Sequence, residues 1–335
     1  MMVGPSPVHN AARRPRRSGA YLQLLRLPCL LTYVVVAAAP MTAQAAKAPL
    51  PGTNPTVSAT CPWLSSGPFR GARLAHLSDG VVLKSSSTSL TRQEIAAEIE
   101  KAPAQIRQQL RNNAFFVLEQ LASRRLLLSE AREWAATSKS KSKGDADDSL
   151  IRAYLLSLTQ RVSVDDAELK RFYEQNKSLV GGAPLEQIQK DLSEYLLSQK
   201  RQQVVDKHIA TLSERTAVQV DETWTKQQCR LASDNPVDTA RRSGKPTLVD
   251  FGATGCGPCD MMTPILASLK KKYAGRLNVL FVHVQEEQIL AARYGVRTIP
   301  VQVFFDKGGK EVFRHEGFFP QAEIERKLSE MGLKR

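Results

Sequence analysis

The sequence predicts an α+β multidomain chain, a mainly helical N-terminal domain followed by an α/β domain. Three observations predict it. The chain has 335 residues, enough for two domains plus appendages. Between residues 91 and 215 apolar residues recur at helical spacing over long stretches. From residue 246 short apolar, β-prone runs alternate with helical patterns.

The first element is an address. "ARRPRR" is a basic segment, "LLRLPCLLTYVVVAAAP" is an apolar run interrupted by Arg26, and "AQAAKA" ends in small residues with Ala43 and Ala45 in A-x-A spacing. That order is a secretory signal peptide over residues 1–45, cleaved after Ala45. The other reading is an uncleaved membrane anchor, although the run falls short of the ~20 residues that a spanning helix wants. Export places the protein in the periplasm, or on the membrane if the anchor stays. "VSATC" has Thr60 where lipid attachment at Cys61 wants a smaller residue. Residues 46–76 read as an N-terminal extension.

Residues 77–222 read as the helical domain. Thr91-x-x-Glu94 is a capping box that opens "RQEIAAEIEK". Pro103 begins one long amphipathic helix through Trp134, with Ile106, Leu110, Ala114, Val117, Leu118 and Leu121 along its apolar side. Residues 138–148 are rich in Lys, Ser, Gly and Asp and read as an exposed loop. Helices are expected at about 149–160, 165–175 and 184–215, followed by "TAVQV" as a short extended exit. Residues 223–235 read as a linker.

Residues 236–335 form the α/β domain, and its chemistry sits in "VDFGATGCGPCDMMTPIL". "PTLVDFGA" is apolar and short, hence a central strand. From Asp260 the pattern turns helical, with Met262, Ile265, Leu266 and Leu269 on one face. Cys256-Gly257-Pro258-Cys259 therefore lies at a strand-to-helix junction, with Cys256 at the helix N-terminus. Unpaired N–H groups and the helix dipole stabilise an anion there, so the Cys256 thiol should ionise below its ordinary ~8.5. Cys256 would attack a disulfide, and Cys259 would resolve the mixed disulfide. The alternatives are poorer. Zinc wants two more ligands in matching spacing, and His283 and His315 stand alone, so no metal is expected. A structural disulfide closing a two-residue loop constrains little chain.

On "LVDFGATGCGPC", "YGVRTIPVQVFF", "DKGGKEV" and "HEGFF", this part resembles thioredoxin-family domains. The resemblance implies a thioredoxin fold and assigns roles. Cys256 is the nucleophile and Cys259 the resolving thiol. Asp250 is the buried acid that handles the proton of Cys259. Pro300 is a cis-proline, and the Ile299 backbone bonds an extended substrate. Gly317 lets a strand approach the site, and Pro264 kinks the active-site helix. Thioredoxin itself is the reference for a first thiol near roughly 7, so that figure is carried over from the resemblance. Two departures stand out: Gly255 replaces the usual tryptophan before the first cysteine, and "LNVLFVHV" offers Phe281 or His283 where a lysine often lies near the acid. The Gly257-Pro258 dipeptide is similar to that of reducing members.

The order "LTRQEIAAEIEKAPAQIRQQL", "LEQLASRRLLLSEAREWA", "VSVDDAELKRFYEQNK" and "EYLLSQKRQQVVDKHIATLSERTAVQV" resembles the peptide-binding part of the SurA/PrsA group of exported foldases. Between Asn176 and Pro184 there is no room for a domain of even ~50 residues, so a parvulin isomerase domain is absent.

Four cysteines remain beyond the address: Cys61, Cys229, Cys256 and Cys259. An even count in an exported chain suggests pairing. With Cys256 and Cys259 as the redox pair, Cys61–Cys229 is the leftover bridge, and two free thiols are the other reading. The formal net charge is +14, of which the five arginines of the address carry +5. No aromatic-interleaved basic stripe accompanies it, so no nucleic acid is expected as partner.

The expected function is an exported thiol–disulfide oxidoreductase that reduces protein disulfides, with a client-binding or dimerising helical module. Its cofactor is no more than the Cys256–Cys259 disulfide. Its expected partners are disulfide-containing or unfolded exported proteins and a membrane thiol reductase as electron donor. Two alternatives stand: a chaperone or interaction scaffold whose thioredoxin-like part is structural, and a disulfide isomerase, which needs a homodimer.

Overall fold

Asp221 closes one sheet and starts the helix that leads into the second. The computed structural model describes residues 54–65, 67–137, 146–175 and 183–333, so the address at 1–45 lies outside the described residues. A short helix α1 (Val57–Thr60) is followed by strands β1 (Arg73–Ala75), β2 (Val81–Lys84) and β3 (Ser89–Thr91). Helices α2 (Arg92–Lys101), α3 (Ala104–Asn112), α4 (Ala114–Thr137), α5 (Asp147–Thr159), α6 (Asp166–Gln175) and α7 (Leu185–Arg215) come next. Strand β4 (Gln219–Asp221) then joins the first sheet in the order β1-β4-β2-β3. The N-terminal region is thus mostly helical.

Local chemistry accounts for these boundaries. Thr91 accepts from the Glu94 N–H, and the Glu94 carboxylate accepts from the Thr91 N–H, the reciprocal box that starts α2. The long helix expected from Pro103 through Trp134 is instead two helices. Asn113 caps α3 with φ −125° and ψ 38°, and its side-chain amide donates to the Gln109 carbonyl at 2.7 Å. An asparagine amide competes for backbone partners, which ends the helix there. Leu169, Tyr173, Leu192 and Leu196 pack α6 against α7.

The segment expected as a linker is a packed helix, α8 (Glu222–Ala232). Asp221 caps it by accepting from the Trp224 N–H at 2.8 Å. Trp224 is buried and stacks on Phe115 of α4 at 6.1 Å, with Thr225 and Gln228 buried beside it. The extension also belongs to this core. Val57 and Phe69 are fully buried, and β1 pairs in parallel with β4 from Arg73↔Gln219 to Ala75↔Asp221.

Beyond α9 (Pro236–Arg241), strands β5 (Thr247–Gly252), β6 (Asn278–His283), β7 (Val301–Phe305) and β8 (Glu311–Glu316) form the second sheet, in the order β6-β5-β7-β8. β6 runs parallel to β5, β7 runs antiparallel to β5, and β8 runs antiparallel to β7. Helices α10 (Gly257–Lys272), α11 (Gln288–Arg293) and α12 (Gln321–Glu330) cover it. This is the thioredoxin-like α/β fold at the C-terminus. Alternation along β5 divides its core. Leu248 joins Met262, Leu266, Leu269, Phe304, Ile324 and Leu328 under α10 and α12. Val249 and Phe251 join Val237, Val282, Leu290, Val303 and Phe305 on the opposite face. Asp250 and Gly252 therefore share the α10 face with Leu248.

Candidate active site

β5 runs straight into the redox pair. Cys256 is the N-cap of α10, with φ −97° and ψ 107°, and its carbonyl accepts from the Asp260 N–H at 2.9 Å. Pro258 sits in the first turn, where its missing N–H costs the helix nothing. The sulfurs of Cys256 and Cys259 are bonded, with Cα atoms 5.2 Å apart. Cys256 is partly exposed, whereas Cys259 is 2% exposed. Cys256 is thus the more exposed member of the pair, and the Cys259 sulfur faces the sheet at Gly252.

Gly252 makes room for the buried one. A Cβ there would stand 3.4 Å from Cys259 Cβ, 3.5 Å from Cys259 Sγ and 2.9 Å from the Phe281 ring. A side chain there would have to displace the Phe281 ring and would lie in contact with Cys259. Gly255, in the tryptophan position, has φ +76°, a left-handed backbone that a side chain would strain.

Two residues beneath, Asp250 is fully buried. Its cross-strand neighbours are Phe281 on β6 and Gln302 on β7. Gln302, also fully buried, donates from Nε2 to Asp250 Oδ1 at 2.6 Å. Burial pushes the Asp250 carboxyl up to about 6, and the Gln302 hydrogen bond opposes that rise. Phe281 takes the β6 place beside the acid. His283 serves the loop instead: its Nε2 accepts from the Thr254 N–H at 3.2 Å, two residues before Cys256. Among the described residues no group of three or more His, Cys, Asp or Glu side chains could hold a metal.

The cis Ile299–Pro300 bond lies where the chain enters β7. Pro300 is buried, Ile299 is partly exposed, and the ladder to β5 and β8 begins at Val301. Gly317 has φ +95°, and its N–H donates to the Pro300 carbonyl at 2.7 Å. Glu316, just before it, accepts at Oε2 from Thr298 Oγ1 at 3.2 Å and from the Tyr195 hydroxyl of α7 at 2.6 Å. The longest helix of the N-terminal region thus reaches the proline loop.

A second junction fixes the two regions. Arg293 of α11 donates to Asn113 Oδ1, the Ala232 carbonyl, the Trp63 carbonyl and Asp238 Oδ2, at 2.9, 2.8, 2.9 and 3.3 Å. The bonded Cys61–Cys229 pair, with Cα atoms 5.9 Å apart, holds Trp63 and α8 at this point.

Sequence reasoning named Cys256, Cys259, Asp250, Ile299, Pro300 and Gly317, and these residues converge on one end of the sheet. It missed Gln302, Gly252 and Tyr195. The signal for Gln302 was one amide inside the apolar run "VQVFF". Tyr195 carries no local signal, because its partner lies 121 residues away.

The comparisons match this region. A family model described as Thioredoxin covers residues 230–330. Thioredoxin of Alicyclobacillus acidocaldarius is 33% identical over 99 residues, which span 30% of this chain and 93% of that protein. Thioredoxin 1 of Nostoc sp. is 36% identical over 112 residues, 33% of this chain and 94% of that protein. The crystal structure of thioredoxin NaTrxh from Nicotiana alata is 32% identical and covers 28% of this chain and 80% of that chain, with a TM-score of 0.26. With a cysteine pair at a helix N-terminus and near-full coverage of these relatives, the chain belongs, through residues 230–330, to the thioredoxin family of thiol–disulfide oxidoreductases.

Proposed function

We propose that this protein is an exported reductant of protein disulfides, working through Cys256 and Cys259. The observation that carries this reading is the pair itself: an accessible sulfur at the start of α10 and a buried one above the Asp250 face of β5. Cys256 thiolate attacks one sulfur of a client disulfide, and the client's other sulfur leaves as a thiolate. Asp250 carboxylate takes the proton of Cys259. Cys259 sulfur then attacks Cys256 Sγ and expels the second client thiolate. Two electrons pass to the client, and the Cys256–Cys259 disulfide forms. A membrane thiol reductase returns the pair to the dithiol state. Extended client backbone pairs with Ile299 beside Pro300.

The helical region is a SurA-like module that holds unfolded or misoxidised clients near the pair. The contact of Tyr195 with Glu316 beside the proline loop supports that role. Tethering raises the local concentration of client, to the order of millimolar for short connections. The basic-apolar-small order of residues 1–45 supports periplasmic delivery.

The test is reduction of insulin by purified protein supplied with a dithiol. The expected result is precipitation of the freed B chain, lost in Cys256→Ser. Protein that oxidises reduced, unfolded substrates but leaves insulin intact would overturn the assignment as a reductant.

A further inference from the structure

We propose that Gln302 is a positioning residue for the resolving step: it holds Asp250 by one oxygen and leaves the other to receive the Cys259 proton. The inference rests on the reading of Asp250 as the proton acceptor. Its own ground is geometric. Asp250 and Gln302 are direct register partners across β5 and β7, and both are fully buried. Gln302 Nε2 donates to Oδ1 at 2.6 Å, while Asp250 Oδ2 has no hydrogen-bond partner. A buried carboxylate oxygen with no donor is costly unless a proton or donor arrives in the working cycle. The reduced state supplies one, because the Cys259 thiol lies on the same face above Gly252.

A neutral amide suits this place. It donates to the carboxylate and so favours the ionised base, without the full charge that a lysine would bring. It cannot itself take up the proton, so the proton goes to Oδ2. Phe281 on the other flank offers no donor, which makes Gln302 the residue that orients the acid.

The titratable groups around Asp250 are few. α10 and its cap bring Cys256, Cys259 and, exposed in the first turn, Asp260. β6 brings His283 opposite Gly252, and β7 brings none at the register position. Behind Gln302, β8 brings His315, which burial holds below its ordinary value.

The experiment follows the reduced full chain reacting with one equivalent of Ellman's reagent by stopped flow. Cys256 attack releases the first thionitrobenzoate, and Cys259 attack on the mixed disulfide releases the second. Gln302→Met removes the donor at nearly constant volume. The expected result is a pH midpoint for the second phase moved upward by about one unit, while the first phase keeps its rate. Asp250→Asn separates the two ideas. If Asp250→Asn leaves the second phase unchanged, Asp250 is not the acceptor, and the inference falls with it. If Asp250→Asn slows that phase but Gln302→Met leaves its midpoint in place, the role of Gln302 alone is overturned. Should Gln302→Met fail to fold, the side-chain amide of Gln302 in the unaltered reduced protein is followed by ¹⁵N NMR. Its shift should titrate with the midpoint of the second phase, and an amide signal that ignores that midpoint overturns the proposal.

Discussion

The Tyr195 hydroxyl donates to Glu316 Oε2 at 2.6 Å, one residue before the glycine whose N–H holds the Pro300 carbonyl. Burial raises the Tyr195 hydroxyl well above its ordinary range, with the Glu316 hydrogen bond adding to it, so it stays a donor at every working pH. Tyr195→Phe removes one charge-assisted bond, about 1.5–3 kcal/mol, together with the acceptor that Gln199 Nε2 uses. The fold should survive. We expect KM to rise several-fold for a large unfolded client, with little change for a small disulfide, which needs less of the proline loop. Steady-state kinetics on both substrates check it, and equal effects on the two would remove α7 from client handling.

Cys256 and Cys259 differ in exposure, and the difference fixes their order of reaction. Iodoacetamide near pH 7 should modify Cys256 first, because its sulfur is reachable and lies at the dipole's positive end. Cys259→Ser should accumulate mixed disulfides with clients, visible as slow bands on a non-reducing gel, because the second attack is lost. Normal turnover by Cys259→Ser would rule out a two-thiol cycle.

The Cys61–Cys229 bridge spans 168 residues of chain. Closing a loop of that length removes unfolded-state entropy worth up to about 5 kcal/mol. Replacing both cysteines with serine should lower the urea midpoint markedly yet leave Cys256–Cys259 chemistry on a small disulfide intact. Urea melts with parallel Ellman's assays would show both halves of that outcome. An unchanged midpoint would mean that the Arg293 hydrogen bonds hold the junction without the bridge.

How much was legible follows the range of each interaction. The redox pair, the strand before it and the capping box at Thr91 are local patterns, complete within a few residues, so sequence revealed them. Gln302 meets Asp250 from 52 residues away, and the chain shows no more than a polar residue in an apolar strand. β1 and β4 pair at Leu74↔Val220 through three-residue strands too short for alternation to register. α8 passed for a linker because its apolar side rests on Trp224 and on polar residues, Thr225 and Gln228, that are buried only by tertiary packing. At Asn113 the helical period continues in sequence, but one side-chain amide breaks the backbone.

Glu119 carries a pH dependence that lies apart from the redox site. It is buried on α4, where it accepts from Ser65 Oγ at 2.5 Å, and Gly67 makes way for it, since a Cβ there would stand 2.6 Å from its Oε1. Burial pushes its carboxyl up to about 7, against the Ser65 and Phe69 hydrogen bonds and the field of Arg293. The folded value thus lies above the unfolded one of 4.5. The folded state binds the proton more tightly, so the associated stability is full below pH 4.5 and is lost as pH rises toward 7. The loss amounts to about 3 kcal/mol across that window. Glu119→Gln keeps the shape and removes the titration. The stability of Glu119→Gln relative to the unaltered protein should therefore climb between pH 4.5 and 7, then level off. Asp250 titrates in both proteins and cancels in the difference. Urea melts of the pair at half-unit pH steps measure it, and a flat difference across the window would show that Glu119 ionises as freely as in water.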